Sequence, residues 1–220
     1  MKFDAVIFDL DGTLLNTIDD IADAINAILA SMGLPGHKVE AYKKYVGAGM
    51  ESLVRNVLPE KCWDEVTIKA FKELEVGYRG FHKSRPYDGI NELLSGISSL
   101  DIRMGILSNR PEASVKLLVG KLLGGFHFDA ILGAVDGLPL KPHQAPALEI
   151  SRRLSVSPNR CLFLGDSDVD MQSASSAGMY PVGALWGFRT ADELVSNGAE
   201  TIINSPGELL KILKPIPSPL

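Results

Sequence analysis

Two aspartates one residue apart, Asp9 and Asp11, follow the run Phe3-Asp4-Ala5-Val6-Ile7-Phe8 and precede Gly12-Thr13. A short β-branched and aromatic run reads as a buried strand, and open parallel sheets bind ligands where such strands end. The pair would then share one crevice, although Asp11-Gly12-Thr13 taken alone is equally good turn chemistry. A second strand pattern, Leu162-Phe163-Leu164, also runs into a glycine and acids, Gly165-Asp166-Ser167-Asp168-Val169-Asp170. Two acidic strand ends imply one cation, and hard carboxylate oxygens without histidine or cysteine suit Mg²⁺. Asp168 also suits the N-cap of a following helix. Ser108 and Asn109 end another apolar run, and Lys141 stands among prolines in Pro139-Leu140-Lys141-Pro142 after a third. A lone serine or lysine is a surface residue by default, so the case for Ser108 and Lys141 rests on their order and place. If Asp9, Asp11, Asp166 and Asp170 converge, their four negative charges must be offset by Mg²⁺ and Lys141 before an anionic substrate can approach.

The elements that would position these residues alternate. Strand patterns recur at Ile102 to Leu107, Phe128 to Leu132, Arg160 to Leu164, Tyr180 to Ala184 and Thr201 to Ile203, with helical patterns filling the later gaps. That alternation predicts an α/β fold, a Rossmann-like parallel sheet covered on both faces. Residues 15 to 85 break the pattern, with several helices and no convincing strand. One helix carries Ile18, Ile21, Ile25, Ile28, Leu29 and Met32 on a single face, with Thr17 as N-cap and Gly33 and Pro35 ending it. Another carries Ile68, Phe71, Leu74, Tyr78 and Phe81, and shorter helices are expected over Val39 to Val46 and Met50 to Leu58. The insertion reads as a small helical bundle. The expected division is a core of residues 1–15 and 86–214, an inserted helical domain of 16–85, and a proline-rich tail of 215–220.

Composition removes several classes of function. A chain of 220 residues with a formal charge of −5 lacks the clustered basic residues that nucleic acid or anionic membrane would require. Two cysteines, Cys62 and Cys161, cannot build a disulfide framework, and Met1 to Phe8 lacks the apolar core of a signal peptide. No run of about 18 apolar residues could span a bilayer. The chain reads as a cytoplasmic protein, a monomer or homodimer, that meets a small substrate.

The ordered set Asp9-Leu10-Asp11-Gly12-Thr13, Ser108, Lys141 and Gly165-Asp166-Ser167 with Asp170 resembles the four motifs of the haloacid dehalogenase (HAD) superfamily across nearly the whole chain. Within it, Tyr45-Val46-Gly47-Ala48-Gly49, Arg85-Pro86-Tyr87 and Leu185-Trp186-Gly187-Phe188-Arg189 are similar to segments of phosphoglycolate phosphatases. The resemblance implies a Mg²⁺-dependent phosphomonoesterase with Asp9 as nucleophile and Asp11 as general acid and base. It implies that Ser108, Asn109 and Lys141 bind the phosphoryl oxygens. Metal contacts would come from the Asp9 and Asp166 carboxylates and the Asp11 main-chain carbonyl, with Asp170 orienting Lys141 or a water. The insertion becomes a cap, with Gly47, Ala48 and Gly49 as its specificity loop and Lys43, Lys44 or Arg55 as candidates for a substrate carboxylate.

Departures and rivals are visible too. His143-Gln144 stands where the family often has a second proline, Asp88 replaces a common hinge proline, and Val169 replaces a common polar residue. A dehalogenase would not need Asp11, because halide leaves without a proton. Phosphomutases, pyrophosphatases and phosphonatases share most of the pattern. A phospho-acceptor module would lack both the insertion and the second aspartate, and a silent binding protein would not need the full residue set. Cys161 reads as a core residue, Trp186 as packing, and His37, His82 and His127 have no partner pattern.

Overall fold

The computed structural model describes residues 3–64, 69 and 82–213. Its centre is a six-stranded, wholly parallel sheet in the order β5-β4-β1-β6-β7-β8. Strand β1 (Ala5–Phe8) is buried along its whole length, as a run without polar interruption must be when strands flank it on both sides. Ala5 pairs with Arg103 of β4 (Arg103–Pro111) and with Cys161 of β6 (Cys161–Gly165). Outside these lie β5 (Ala130–Ala134), β7 (Tyr180–Ala184) and β8 (Thr201–Ile203). From β1 the chain builds outward through β4 and β5, then returns to β6 on the other side. That reversal leaves a crevice beyond the carboxyl ends of β4, β1 and β6.

Strand alternation divides the core. Val6 and Phe8 point to one face, where they pack with Leu93, Leu94 and Ile97 of α4 (Ile90–Ser98), Val115 and Leu118 of α5 (Glu112–Leu122), and Leu209 of α9 (Pro206–Leu213). Ala5 and Ile7 point to the other, with Ile150 and Leu154 of α6 (Gln144–Leu154) and Ala174 of α7 (Asp168–Ser176). A shorter helix, α8 (Ala191–Ser196), follows β7 and carries a capping box between Thr190 and Glu193. Strand β4 extends past the expected Leu107 to Pro111, with a register shift after Leu107. Polar Ser108 and Asn109 conceal that extension from an apolar-run reading.

The insertion contributes α1 (Ile18–Ser31), α2 (Val39–Tyr45) and α3 (Met50–Val57). They share a third apolar cluster of Ile18, Ala22, Ile25, Ile28, Leu29, Tyr42, Leu53, Val54, Val57 and Leu58. Met32 was expected on this face but is 36% exposed just beyond α1, and Ala22, which was not expected there, is buried in the cluster. Thr17 occupies the N-cap position, yet its hydroxyl makes no cap hydrogen bond and points elsewhere. The expected helix from Ile68 to Phe81 and the tail of 215–220 fall outside the described residues. One strand pair was not foreseen: β2 (Leu15–Asn16) and β3 (Arg85–Pro86) pair antiparallel, tying the outgoing and returning linkers together. Two-residue strands are too short for any periodicity to reveal. Beside them, the Asp20 carboxylate accepts from the Lys83 N–H at 3.1 Å and from the Ser84 N–H and hydroxyl at 2.6 and 2.5 Å. No helix among the described residues is long and apolar enough to cross a membrane.

Candidate active site

Two strand ends, one helix turn and one loop supply the floor of the crevice. Asp9 leaves β1, Asp166 leaves β6, Asp170 projects from the first turn of α7, and Lys141 comes from the loop after β5. Carboxylate oxygens of Asp9, Asp166 and Asp170 lie within 4.8 Å of one another. Lys141, 2% exposed, donates from Nζ to Asp9 Oδ1 and Asp170 Oδ1, each at 2.7 Å, and to the Leu107 carbonyl at 3.0 Å. The other Asp170 oxygen accepts from the Ser167 N–H at 3.0 Å and its hydroxyl at 2.5 Å. Ser167 and Asp170 thus cap α7, correcting the expectation that Asp168 does so; Asp168 is the first helical residue and pairs with Arg189 at 3.2 Å. Asp166 accepts from the Thr13 hydroxyl and the Phe188 N–H, both at 2.8 Å. Its crowding explains two glycines: a Cβ on Gly12 would lie 2.3 Å from Asp166 Oδ2, and one on Gly187 2.2 Å from Asp166 Cβ.

Burial and repulsion dominate the electrostatics of this floor. Burial, then the Asp170 charge, pushes the Asp9 carboxyl well above the usual carboxylate range against the pull of Lys141. Burial and Asp170 likewise push Asp166 up to about 7. Lys141 is held above its ordinary value by Asp170 and Asp9, although burial opposes this. Three carboxylates around one ammonium leave an uncompensated negative charge in a dry place. The donors are all oxygen. This combination fits a hard divalent cation.

Asp11 stands apart from the trio. Its carboxylate takes a bidentate pair from Arg110, Nε at 2.9 Å and Nη2 at 2.8 Å, and the Thr17 hydroxyl at 2.6 Å. Burial raises its carboxyl, but Arg110 and Thr17 outweigh burial and hold it below the usual range. Mg²⁺ and Lys141 are therefore not the only offsets to the four aspartates, because Arg110 neutralises Asp11. The sequence reading missed Arg110, although its place directly after Ser108-Asn109 was the available signal. Thr17 and Thr13 were missed for a similar reason: hydroxyl residues near a turn look like turn chemistry.

Ser108 is buried on the crevice wall, its Oγ accepting from the Arg110 N–H at 3.2 Å. Asn109 acts as a clamp. Its side chain donates to the Lys141 carbonyl and accepts from the Lys141 N–H, both at 2.9 Å, and also donates to the Gly47 carbonyl of the insertion at 2.9 Å. Arg189 makes a second bridge, donating to the Lys43 carbonyl and, at 3.2 Å, to the Val46 carbonyl at the end of α2. The insertion's wall comprises Ile21, Ala24, Ile25, Val46, Gly47, Gly49, Met50 and Leu53. Gly47 and Gly49 thus border the crevice, whereas Ala48, Lys43, Lys44 and Arg55 are not among its lining residues. Lys43 pairs with Glu40, and Arg55 pairs with Glu51 and lies over Trp63. Gly49 has φ +88°, and a Cβ there would meet Leu140 Cδ1 at 2.5 Å, so this position is a backbone requirement. Trp186 packs against the core and also donates to the Thr13 carbonyl at 2.9 Å.

The geometry has counterparts in known proteins. A phosphoglycolate phosphatase from Aquifex aeolicus is 30% identical, the match covering 94% of this chain and 95% of that protein. Another from Chromobacterium violaceum is 32% identical over 96% of each chain. The crystal structure of a predicted phosphoglycolate phosphatase from Haemophilus somnus superposes with a TM-score of 0.89 at 27% identity, covering 97% of this chain and 99% of that one. The family model described as haloacid dehalogenase-like hydrolase matches residues 6–184, which include Asp9, Asp11, Ser108, Lys141, Asp166 and Asp170. The chain therefore belongs to the haloacid dehalogenase-like hydrolase family and is an enzyme of its phosphatase kind, similar to the phosphoglycolate phosphatases.

Proposed function

We propose that this enzyme hydrolyses a small phosphomonoester, 2-phosphoglycolate by the names of its relatives, through a covalent phosphoryl group on Asp9. The observation that carries the reading is the placement of Asp9: at the end of β1, held by Lys141 at 2.7 Å, and facing a crevice that Asp11 and Ser108 also line. An Asp9 carboxylate oxygen attacks phosphorus in line as the bond to the leaving oxygen breaks. Asp11, which must first leave Arg110 and bind a proton, gives that proton to the leaving oxygen. It then takes a proton from the water that attacks the aspartyl-phosphate, releasing inorganic phosphate and restoring Asp9. Ser108, Asn109 and Lys141 hold the non-bridging oxygens, and Asp170 keeps Lys141 in place. When bound by the Asp9 and Asp166 carboxylates and the Asp11 carbonyl, Mg²⁺ supplies charge neutralisation for the phosphoryl group.

In this reading residues 1–15 and 86–214 are the catalytic core and 16–85 the cap, which excludes water and selects substrate. Asp11 favours phosphoryl transfer over dehalogenation, since only the former has a leaving oxygen to protonate. Two thiols outside any disulfide, Cys161 buried and Cys62 partly so, support a reducing, cytoplasmic setting. The test is phosphate release from a broad phosphomonoester panel with and without Mg²⁺. Wild type should turn over with Mg²⁺, and Asp9→Asn should lose roughly 10⁴-fold or more, the scale on which loss of a nucleophile acts. Wild type with no turnover on any panel member would sink the proposal.

A further inference from the structure

Among the described residues that line the crevice, two carry positive charge, Lys141 and Arg110. Lys141 is engaged by Asp9, Asp170 and the Leu107 carbonyl at the phosphoryl end. The opposite wall, from Ile21 to Leu53, presents apolar side chains and glycines. Its described lining residues offer no side-chain hydrogen bond to a hydroxylated body and no counter-charge to an anionic one. Among the described lining residues, a substrate carrying a second anion beside its phosphoryl group thus meets a cation outside the phosphoryl end at Arg110. That cation is already gripping a carboxylate: Asp11 sits side-on across Nε and Nη2 at 2.9 and 2.8 Å, the fork geometry in which arginine recognises carboxylates. The group so held is the one that must turn to the leaving oxygen.

We propose that Arg110 is the specificity residue that reads a substrate carboxylate, and that this carboxylate and Asp11 exchange on its guanidinium. In the empty enzyme Asp11 is parked on Arg110. A phosphomonoester with a carboxylate one carbon from its ester oxygen draws the guanidinium to itself and leaves Asp11 to address that oxygen. A substrate of the same size without the carboxylate fills the crevice but leaves Asp11 parked. The inference rests on the phosphatase reading and assigns the selection of substrate to the core, not to Lys43 or Arg55 of the insertion.

The experiment compares 2-phosphoglycolate with isobutyl phosphate, in which an uncharged isopropyl group replaces the carboxylate at the same heavy-atom count, in wild type, Arg110→Met and Arg110→Lys with saturating Mg²⁺, measuring kcat and KM separately. Wild type should prefer 2-phosphoglycolate in both constants. In Arg110→Met the ratio of the two kcat/KM values should fall roughly 10- to 100-fold, the range for charged hydrogen bonds to a carboxylate. Arg110→Lys, which keeps the charge without the planar fork, should lie between. Equal losses on both substrates would overturn the inference, because Arg110 would then only hold Asp11. If Arg110→Met does not fold, a wild-type ratio in Arg110→Lys overturns it instead. A wild type that hydrolyses both esters without preference overturns it while the phosphatase reading stands. A wild type that hydrolyses neither overturns this inference, while the broad phosphomonoester panel decides separately whether the phosphatase reading stands.

Discussion

The floor and the cap-side wall of the crevice are built from opposite materials. On the floor, Asp9, Asp166, Asp170 and Lys141 are buried charges whose positions are specified by hydrogen bonds from four separate strand ends and loops. The wall is Ile21, Ala24, Ile25, Val46, Met50 and Leu53, all but Ala24 set chiefly by packing in the insertion's apolar cluster. Buried polar networks tolerate little change, because each lost partner strands another group. Apolar walls tolerate substitution at constant volume. In the proposed reading, reaction chemistry and the recognition of substrate charge thus belong to the region that cannot vary, and the fit to the substrate's apolar shape to the region that can. Hydrogen bonds from Asn109 and Arg189 to main-chain carbonyls join the two, and a main-chain carbonyl is indifferent to the side chains of the wall.

If floor and wall are separable in this way, substitutions should sort by region. Lys141→Met should act most strongly, since it leaves Asp9 and Asp170 buried without their cation. Its expected cost is about 3–5 kcal/mol in urea unfolding, alongside loss of turnover on every substrate. Next, Asp11→Asn should slow alkyl phosphates by roughly 10²- to 10⁴-fold but aryl phosphates much less, because a phenolate leaves without a proton. Equal losses on both would remove Asp11 from the acid role. Arg189→Ala probes the junction. It should raise KM by about 10-fold, the lower end of the range for a charged hydrogen bond, with kcat and the unfolding midpoint little altered. A kcat loss comparable to that of Lys141→Met would show that floor and wall are not separable.

The smallest effect is expected at the linkers. Burial raises the Asp20 carboxyl, but hydrogen bonds from Ser84 and Lys83 lower it further, to a net value below the ordinary 3.8. A carboxyl depressed in the folded chain stabilises fully above its unfolded value, and the contribution disappears as pH falls through the folded one. Asp20→Asn should therefore cost about 1 kcal/mol at pH 7, and the difference from wild type should shrink to nothing in strong acid. A difference that persists there would assign the effect to packing.

Much of the floor was legible in the sequence, because carboxylates that follow apolar runs are rare enough to mark strand ends. Asp9 and Asp166 could be placed on that ground, Ser108 and Lys141 by their order and place in the chain, and the strand patterns at Tyr180 to Ala184 and Thr201 to Ile203 coincide with β7 and β8. What escaped depends on distance in sequence. Arg110 meets Asp11 across 99 positions, and Asn109 meets Gly47 across 62, so neither contact leaves a local pattern. The β2–β3 pair escaped because two residues carry no period. On the wall, Ile21 was read as one more core residue of α1. In the fold it is only partly buried and borders the crevice, a distinction that needs the neighbouring helices to be in place.

Asp170 has no exposed surface, and each of its carboxylate oxygens serves a different master: one receives Lys141, the other closes the first turn of α7 through Ser167. Drift at this position is therefore judged twice by one atom pair. A lineage that lost the activity while keeping the fold would still be selected to retain the aspartate, and with it half of the lysine's anchorage. Loss of function here should be readily reversible over evolutionary time, since the scaffold itself preserves the seat from which catalysis can restart.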